Sequence, residues 1–408
     1  MSALTLEAAG DRLTFLCQSS HVCLTFDRWR ADRDQLSAEV TITTSAPGYQ
    51  SHLTAGRLNL TSLPTRTQWA KRLADLYAEA DWTALLEEAC YRAIQQYRKG
   101  DPVSRLAPAP VSAGPSWRVQ PLLYEQLPTV IFGPGGSRKS FLGLWLALLV
   151  ENGVALEGAV RAVLGRTLYL DYEADQATAE YRLGRFVDGN PALAPACPSY
   201  RRMKQPLAAD LPVLSASIVE QGIVFLIVDS LAMACGGKDL SDPSTAVSYF
   251  SALRQLPCTS LSIAHVPKNT ENPMIYGSVF FTNIARMTWE IKCQTDEDTG
   301  SSTIGLFNRK ANERRHRPMG LQFAHDAQSE AITVSPATLT DDEAFLDASP
   351  VAVQISHYLT DGAKSAARLA LLLGKPVDTV LKTLHRGEAK GCYLALGAGR
   401  GTEWVLPP

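Results

Sequence analysis

The sequence runs to 408 residues, enough for two or three domains, and its 46% hydrophobic and 20% charged content is ordinary globular material with ample core-forming capacity. A formal net charge of −2 gives no global field to attract nucleic acid, so any DNA affinity must come from local basic patches or from several subunits acting together. Eight scattered cysteines without a C-x-x-C pair argue against a zinc site or a disulfide framework, and charged residues from Glu7 and Asp11 onward interrupt any leader-like pattern, so a soluble cytoplasmic protein is expected.

Residues 1–100 read as a small α+β unit. Alternating runs at Leu13–Leu16, Val22–Phe26 and Ala38–Ile42 predict short strands. Two helical patterns follow. In the second, Asp81 is the expected N-cap, with Trp82, Leu85, Leu86, Ala89, Ala93 and Tyr97 on one face. This unit carries no recognisable chemistry, and an interaction or oligomer-support role is the expectation. The Pro-, Ala- and Ser-rich stretch 101–116 reads as a semi-extended linker.

From 117 to 336, apolar strand candidates alternate with helical patterns, as expected for an α/β domain with a mostly parallel sheet covered by helices. Its strongest motif is Thr129–Ser140. A short apolar strand ends in Gly133, Pro134, Gly135, Gly136, Ser137 and Arg138, then Lys139 and Ser140 open an apolar helical segment. That order is a phosphate-binding loop, in which backbone N–H groups and a helix N-terminus cradle phosphate oxygens. Lys139 would neutralise β/γ-phosphate charge, and the Ser140 hydroxyl would hold Mg²⁺. Arg138 stands where the G-x-x-x-x-G-K-[ST] pattern has its second glycine. The cradle uses main-chain amides, which arginine retains, so the loop is expected to bind provided residue 138 needs no positive φ. The bland alternative is a glycine-rich turn before a buried helix. That helix is too short to span a bilayer and is interrupted by Glu151, Asn152 and Gly153.

Four features follow. The run Thr167–Tyr172 is a strand ending in acidic residues, and Glu173 is the candidate to orient and deprotonate an attacking water, with Asp175 better suited to cap the next helix. The apolar run Ile223–Val228 suits a strand buried on both faces, and Asp229 at its carboxyl end would hold Mg²⁺ through its water shell. Ser260–Ala264 is another strand, leading to His265, which could sense a γ-phosphate, although a lone histidine is more often structural. Arg286 and Lys310 are candidates to neutralise charge in a neighbouring subunit's site, against the commoner fate of a surface ion pair.

A second linker over 337–350 contains Asp341, Asp342 and Glu343. Residues 351–408 then read as three helices (351–359, 365–373 and 376–385) and a hairpin around a glycine-rich turn, the layout of a winged helix-turn-helix. Lys382, His385 and Arg386 lie on its candidate reading helix. A protein-docking module is the alternative for this unit.

Together these motifs resemble the RecA-like ATPases, most closely the branch of RepA-type hexameric replicative helicases of plasmids and phages, over about residues 117–323. The resemblance implies a ring or filament, a hexamer in the branch named, with ATP and Mg²⁺ at each subunit interface. It implies Lys139 and Ser140 as phosphate and Mg²⁺ ligands, Glu173 as catalytic base and Asp229 as the Walker B carboxylate. His265 matches the phosphate-sensing position and Arg286 the arginine finger. Loops 236–242 and 268–276 would line a channel for single-stranded DNA, yet they carry few basic residues, and a groove tracking phosphates should be positive. The function expected from the resemblance and the winged-helix layout is an oligomeric, DNA-acting ATPase, a helicase or translocase of a phage, plasmid or mobile element. The alternative is a nucleotide-switched regulator that binds duplex DNA through the winged helix without unwinding it.

Overall fold

The computed structural model describes residues 4–407 apart from 10–11, 33, 101–102, 109, 111–113, 267–273 and 341–342. The N-terminal unit is an antiparallel meander of β1 (Leu4–Ala9), β2 (Arg12–Cys17), β3 (Val22–Asp32), β4 (Gln35–Thr44) and β5 (His52–Asn59), followed by α1 (Leu63–Leu76) and α2 (Trp82–Lys99). Alternation along β2, β3 and β4 sends Leu13, Phe15, Leu24, Phe26, Val40 and Ile42 into one core with the helices, the period of two that a one-faced sheet needs. Asp81 caps α2, accepting from Ala84 N at 3.0 Å. Trp82, Leu85, Leu86, Ala89 and Ala93 are buried as their spacing requires, whereas Tyr97, one turn further, is 44% exposed and rests against Trp29.

The central unit runs β6 (Trp117–Gln120), β7 (Leu123–Tyr124), β8 (Pro128–Gly133), α3 (Lys139–Asn152), β9 (Ala155–Leu156), β10 (Val160–Ala162), β11 (Arg166–Asp171), α4 (Gln176–Gly189) and β12 (Ser199–Arg202). It continues with α5 (Leu207–Gln221), β13 (Ile223–Asp229), α6 (Leu231–Ala234), α7 (Pro243–Arg254), β14 (Thr259–His265), α8 (Val279–Ile284), β15 (Met287–Thr295), β16 (Ser302–Ala311), β17 (Met319–His325) and β18 (Ile332–Ala337). Among the described residues its main sheet has nine strands in the order β12-β11-β13-β14-β8-β15-β16-β17-β18. Neighbours are parallel from β12 to β15 and antiparallel from β15 to β18. Helices α3 and α4 pack on one face over Tyr169, Ile227, Ile263 and Trp289. On the other, α5 and α7 cover Leu170, Leu226, Val228 and Ala264. A strand covered on both faces needs the unbroken apolar run that β13 has.

Two features of this sheet position everything that follows. Strand β14 lies between β8 and β13, so the glycine-rich loop and Asp229 face each other across one strand. The parallel strands also end level, with Asp171 paired to Asp229 and His265 paired to Gly133. Crevices at the carboxyl ends of parallel strands are where α/β sheets bind ligands.

The C-terminal segment comprises α9 (Glu343–Ala348), α10 (Val351–Leu359), β19 (Lys364–Ser365), α11 (Ala366–Leu373), α12 (Val377–Glu388), β20 (Leu394–Leu396) and β21 (Glu403–Val405), with sheet order β19-β21-β20. Ser365 caps α11 by accepting from Arg368 N at 3.2 Å, and Gly374, at φ +58°, ends it. Ile355, Leu369, Val380, Leu384, Tyr393 and Trp404 form a separate small core. No helix among the described residues is long and apolar enough to cross a membrane.

Candidate active site

Every residue of β8 is buried, and the strand delivers the chain to Gly133 between β14 and β15. A Cβ at Gly133 would stand 2.4 Å from Ile291 Cγ2 and 2.5 Å from Ile291 O, so only glycine fits there. Pro134, Gly135 and Gly136 are exposed, and added Cβ atoms at the two glycines would meet nothing within 4 Å. The loop is thus an open cradle of main-chain amides leading into the N-terminus of α3. Exposed backbone leading into a helix N-terminus is a place where an anion can be bound.

The condition set on Arg138 is not met. Its φ is +62° and ψ +19°, the left-handed region that the consensus glycine would enter without strain. The guanidinium points away from the cradle. Its Nε donates to Ser302 Oγ at 3.2 Å, and its centre lies 5.2 Å over the Phe141 ring, which Arg182 also approaches at 5.0 Å. Arg138 keeps its backbone amide in the loop, at the cost of a strained conformation, by anchoring its side chain on the strand after the β15–β16 turn.

Lys139 is 5% exposed and donates from Nζ to Gly133 O at 3.0 Å, Pro134 O at 2.6 Å and Ser137 Oγ at 3.3 Å. Burial lowers its pKa to about 8, against the opposing pull of Asp229 and Glu173. Asp229, also 5% exposed, has its carboxyl pushed up by burial, while hydrogen bonds from Ser140 and Tyr169 draw it down. Tyr169 OH donates to Asp229 Oδ2 at 2.6 Å. Burial and that neighbouring carboxylate hold the Tyr169 phenol well above its usual pKa, so it remains a donor.

Glu173 lies just beyond β11. Asp175, not Glu173, caps α4, accepting from Thr178 N at 2.8 Å, which leaves the Glu173 carboxylate for other partners. Glu173 Oε1 accepts from Ser230 Oγ and lies 3.6 Å from His265 Nε2. Both Glu173 and His265 side chains are about two-fifths exposed (41% and 43%), so the cluster opens to solvent on the cradle side. The Asp229–Ser230 peptide, which joins Asp229 to the hydrogen-bond partner of Glu173, is cis.

Arg286 and Lys310 lie elsewhere. Strand β15 runs parallel to β8, and Arg286 N donates to Pro128 O at 2.9 Å, at the end of the sheet opposite the cradle. Five strand residues at about 3.3 Å each separate that level from Gly133, roughly 16 Å. Lys310 Nζ donates to the carbonyls of Thr282 (3.0 Å), Asn283 (2.5 Å) and Ala285 (2.6 Å), closing the C-terminus of α8. With the Asn312 amide oxygen turned toward it, Arg286 Nη1 donates at 2.9 Å. Neither cation reaches the cradle of its own chain.

Of the two candidate channel loops, residues 268–273 of the 268–276 loop lie outside the described residues. In the other, Asp239 accepts from Ser241 N and Oγ, and Asp242 caps α7 through Ser244 N, so its acidic residues shape turns.

Sequence reasoning assigned no role to Tyr169, Asp171, Tyr200 or Ser230. The only signal for Ser230 is its position directly after Asp229. Tyr169 lies inside an apolar strand pattern, where a tyrosine reads as packing, Asp171 is one of several acidic residues at that strand's end, and Tyr200 stands in the polar stretch Ser199–Arg202, which carries no strand signal.

Residues 103–271 match the family described as AAA domain. No curated protein gives a match. Among solved structures, a KaiC-like protein from the hyperthermophilic archaeon Pyrococcus horikoshii aligns at 14% identity with a TM-score of 0.39, covering 58% of this chain and 100% of that one. The AAA-domain match, taken with the loop geometry and the strand order, supports a P-loop ATPase.

Proposed function

We propose that the chain is an oligomeric ATPase of the RecA type, in the branch of RepA-like hexameric helicases, hydrolysing ATP with Mg²⁺ at subunit interfaces to act on DNA as a helicase or translocase of a phage, plasmid or mobile element. The observation that carries the hydrolytic part is the meeting of Glu173, Ser230 and His265 beside Asp229 and the cradle, from the ends of three different strands. Structural ion pairs have no need of that arrangement. A general base next to a phosphate cradle does.

Ser140 and Asp229 offer hard oxygen donors in contact with each other, and no cluster of three or more metal-binding side chains exists among the described residues. That set suits Mg²⁺, which is held by one or two protein oxygens together with phosphates and waters. Bound there, the ion would neutralise charge on the β- and γ-phosphoryl oxygens. The chain's own groups do the rest. Lys139 exchanges loop carbonyls for phosphate oxygens, and the α3 N-terminus and loop amides hold the remainder. Glu173 accepts a proton from the attacking water, its Oε1 fixed by Ser230, and His265 faces the same carboxylate from the strand beside the cradle. Arg286, remote from its own site, acts on a neighbour's; Lys310 fixes the helix end beside it. ATP turnover titrated with single-stranded DNA tests this reading: acceleration is expected, and a flat response would remove DNA from the function.

A second reading, a nucleotide-switched regulator on duplex DNA, rests on α12. Val380, Leu384 and Gly387 face the small core, while Lys382, His385 and Arg386 are exposed together on the other side, as a winged-helix reading helix would present them. Sequence-selective duplex binding that weakens steeply with salt, without strand separation, would favour it.

A further inference from the structure

Two tyrosines of neighbouring strands touch the acidic machinery from behind. Tyr169 on β11 is 2% exposed, and its hydroxyl donates to Asp229 Oδ2 at 2.6 Å. Two residues on, and therefore on the same face of β11, Asp171 is 3% exposed. Its Oδ1 accepts from the backbone N–H groups of Glu173 at 2.9 Å and Ala174 at 2.8 Å, which folds the turn that presents Glu173. Its Oδ2 accepts from Tyr200 OH, on β12, at 3.2 Å. Both rings line one cavity of about 520 Å³ beneath α4, walled by Leu144, Leu183, Val187 and Pro198. Both rings also pack against the core beneath α3 and α4, and each hydroxyl oxygen reaches a carboxylate.

The geometry points to Tyr169 and Tyr200 as positioning residues for the two catalytic carboxylates: Tyr169 sets the orientation of Asp229 toward Ser140, and Tyr200, through Asp171, sets the turn that carries Glu173. This rests on the ATPase reading above and adds a division of labour to it. A tyrosine whose hydroxyl satisfied only itself would serve equally well as phenylalanine. These two end on carboxylates whose direction decides binding and chemistry, and outer partners of metal-holding groups typically change affinity or rate by about 10–100-fold.

The test uses the full-length chain with Tyr169→Phe and Tyr200→Phe, each removing one oxygen beside existing cavity space. Affinity for a non-hydrolysable ATP analogue is measured by calorimetry in EDTA and in Mg²⁺, beside kcat and KM for ATP. For Tyr169→Phe, binding in EDTA stays at the wild-type value while the tightening produced by Mg²⁺ shrinks about 10-fold or more. For Tyr200→Phe, both binding values stay unchanged and kcat alone falls. A double variant, Tyr169→Phe in an Asp229→Ala background, shows no further loss of the Mg²⁺ effect. Melting curves of Tyr169→Phe fix the temperature range in which the variant is folded, and the EDTA and Mg²⁺ affinities are compared with wild type within that range. Mg²⁺ tightening equal to wild type in the Tyr169 variant, or unchanged kcat in the Tyr200 variant, overturns the inference. Failure of the wild-type chain itself to bind the analogue with Mg²⁺ overturns the ATPase reading instead.

Discussion

Replacing Arg138 by glycine and, separately, by alanine divides two contributions that the natural side chain combines. Both substitutions delete the guanidinium, with its 3.2 Å hydrogen bond to Ser302 and its place 5.2 Å over Phe141. A part-exposed hydrogen bond and a cation–π contact together stabilise by about 1–2 kcal/mol. The two variants then differ only in a Cβ. At φ +62° that atom costs roughly 1–2 kcal/mol, whereas the freedom glycine regains on unfolding costs about 0.5–1 kcal/mol. The glycine variant should therefore exceed the alanine variant by about 0.5–1 kcal/mol and lie near wild type, with alanine the least stable of the three. For a domain of roughly 200 residues this gap corresponds to about 1–4 °C in Tm, resolvable by scanning calorimetry. Both variants keep the loop amides and should keep nucleotide binding. An alanine variant as stable as the glycine variant would refute the left-handed assignment, and with it the account of how arginine occupies this position.

Glu173→Gln should lower kcat by about 10²–10⁴-fold while leaving analogue affinity intact, read by steady-state hydrolysis beside calorimetry. Arg286→Ala should abolish turnover without lowering Tm, and mixing it with Lys139→Ala subunits should restore activity at interfaces that pair an intact Lys139 with an intact Arg286; no recovery at any ratio would mean that Arg286 does not act in trans. Lys310→Met should instead destabilise the chain by about 1–3 kcal/mol in urea, because three carbonyls at the end of α8 lose their donor. Nucleotide affinity should fall as pH rises through about 8, since Lys139 must be protonated to meet phosphate and its buried pKa lies there. Below that pH the ammonium is charged in both folded and unfolded chains and its desolvation opposes folding. As pH rises from about 8 toward 10.5 that penalty lifts, so this group alone makes the unliganded chain more stable at higher pH while it weakens binding.

What the residues disclosed and what they hid follow from how local each signal is. The loop, β13 and the C-terminal helices are set by neighbouring residues: a glycine at φ +77° in the turn (Gly136), an apolar run for a strand buried twice, a serine cap at 365 and a left-handed stop at Gly374. Such features can be read without knowing the fold. Strand β5 carries few apolar residues and is interrupted by Gly56 and Arg57, and β1 ends on two small alanines, so pairing with β2 and β4 is what defines them. Arg138 misled for a different reason. Its amide could be read from the sequence, but its φ depends on how the loop turns into α3, and its anchor, Ser302, lies 164 residues away. The meeting of Glu173, Ser230 and His265 was partly legible, because each follows an apolar run and such runs end at one edge of a parallel sheet. The tyrosines behind them were not, because a hydroxyl's partner depends on strand order. Tyr169 reaches Asp229 only because β11 pairs directly with β13, and Tyr200 reaches Asp171 only because β12 continues the sheet beyond β11. Site residues that follow strand ends can therefore be proposed from a single chain, whereas the residues that aim them become visible only once the order of strands is known.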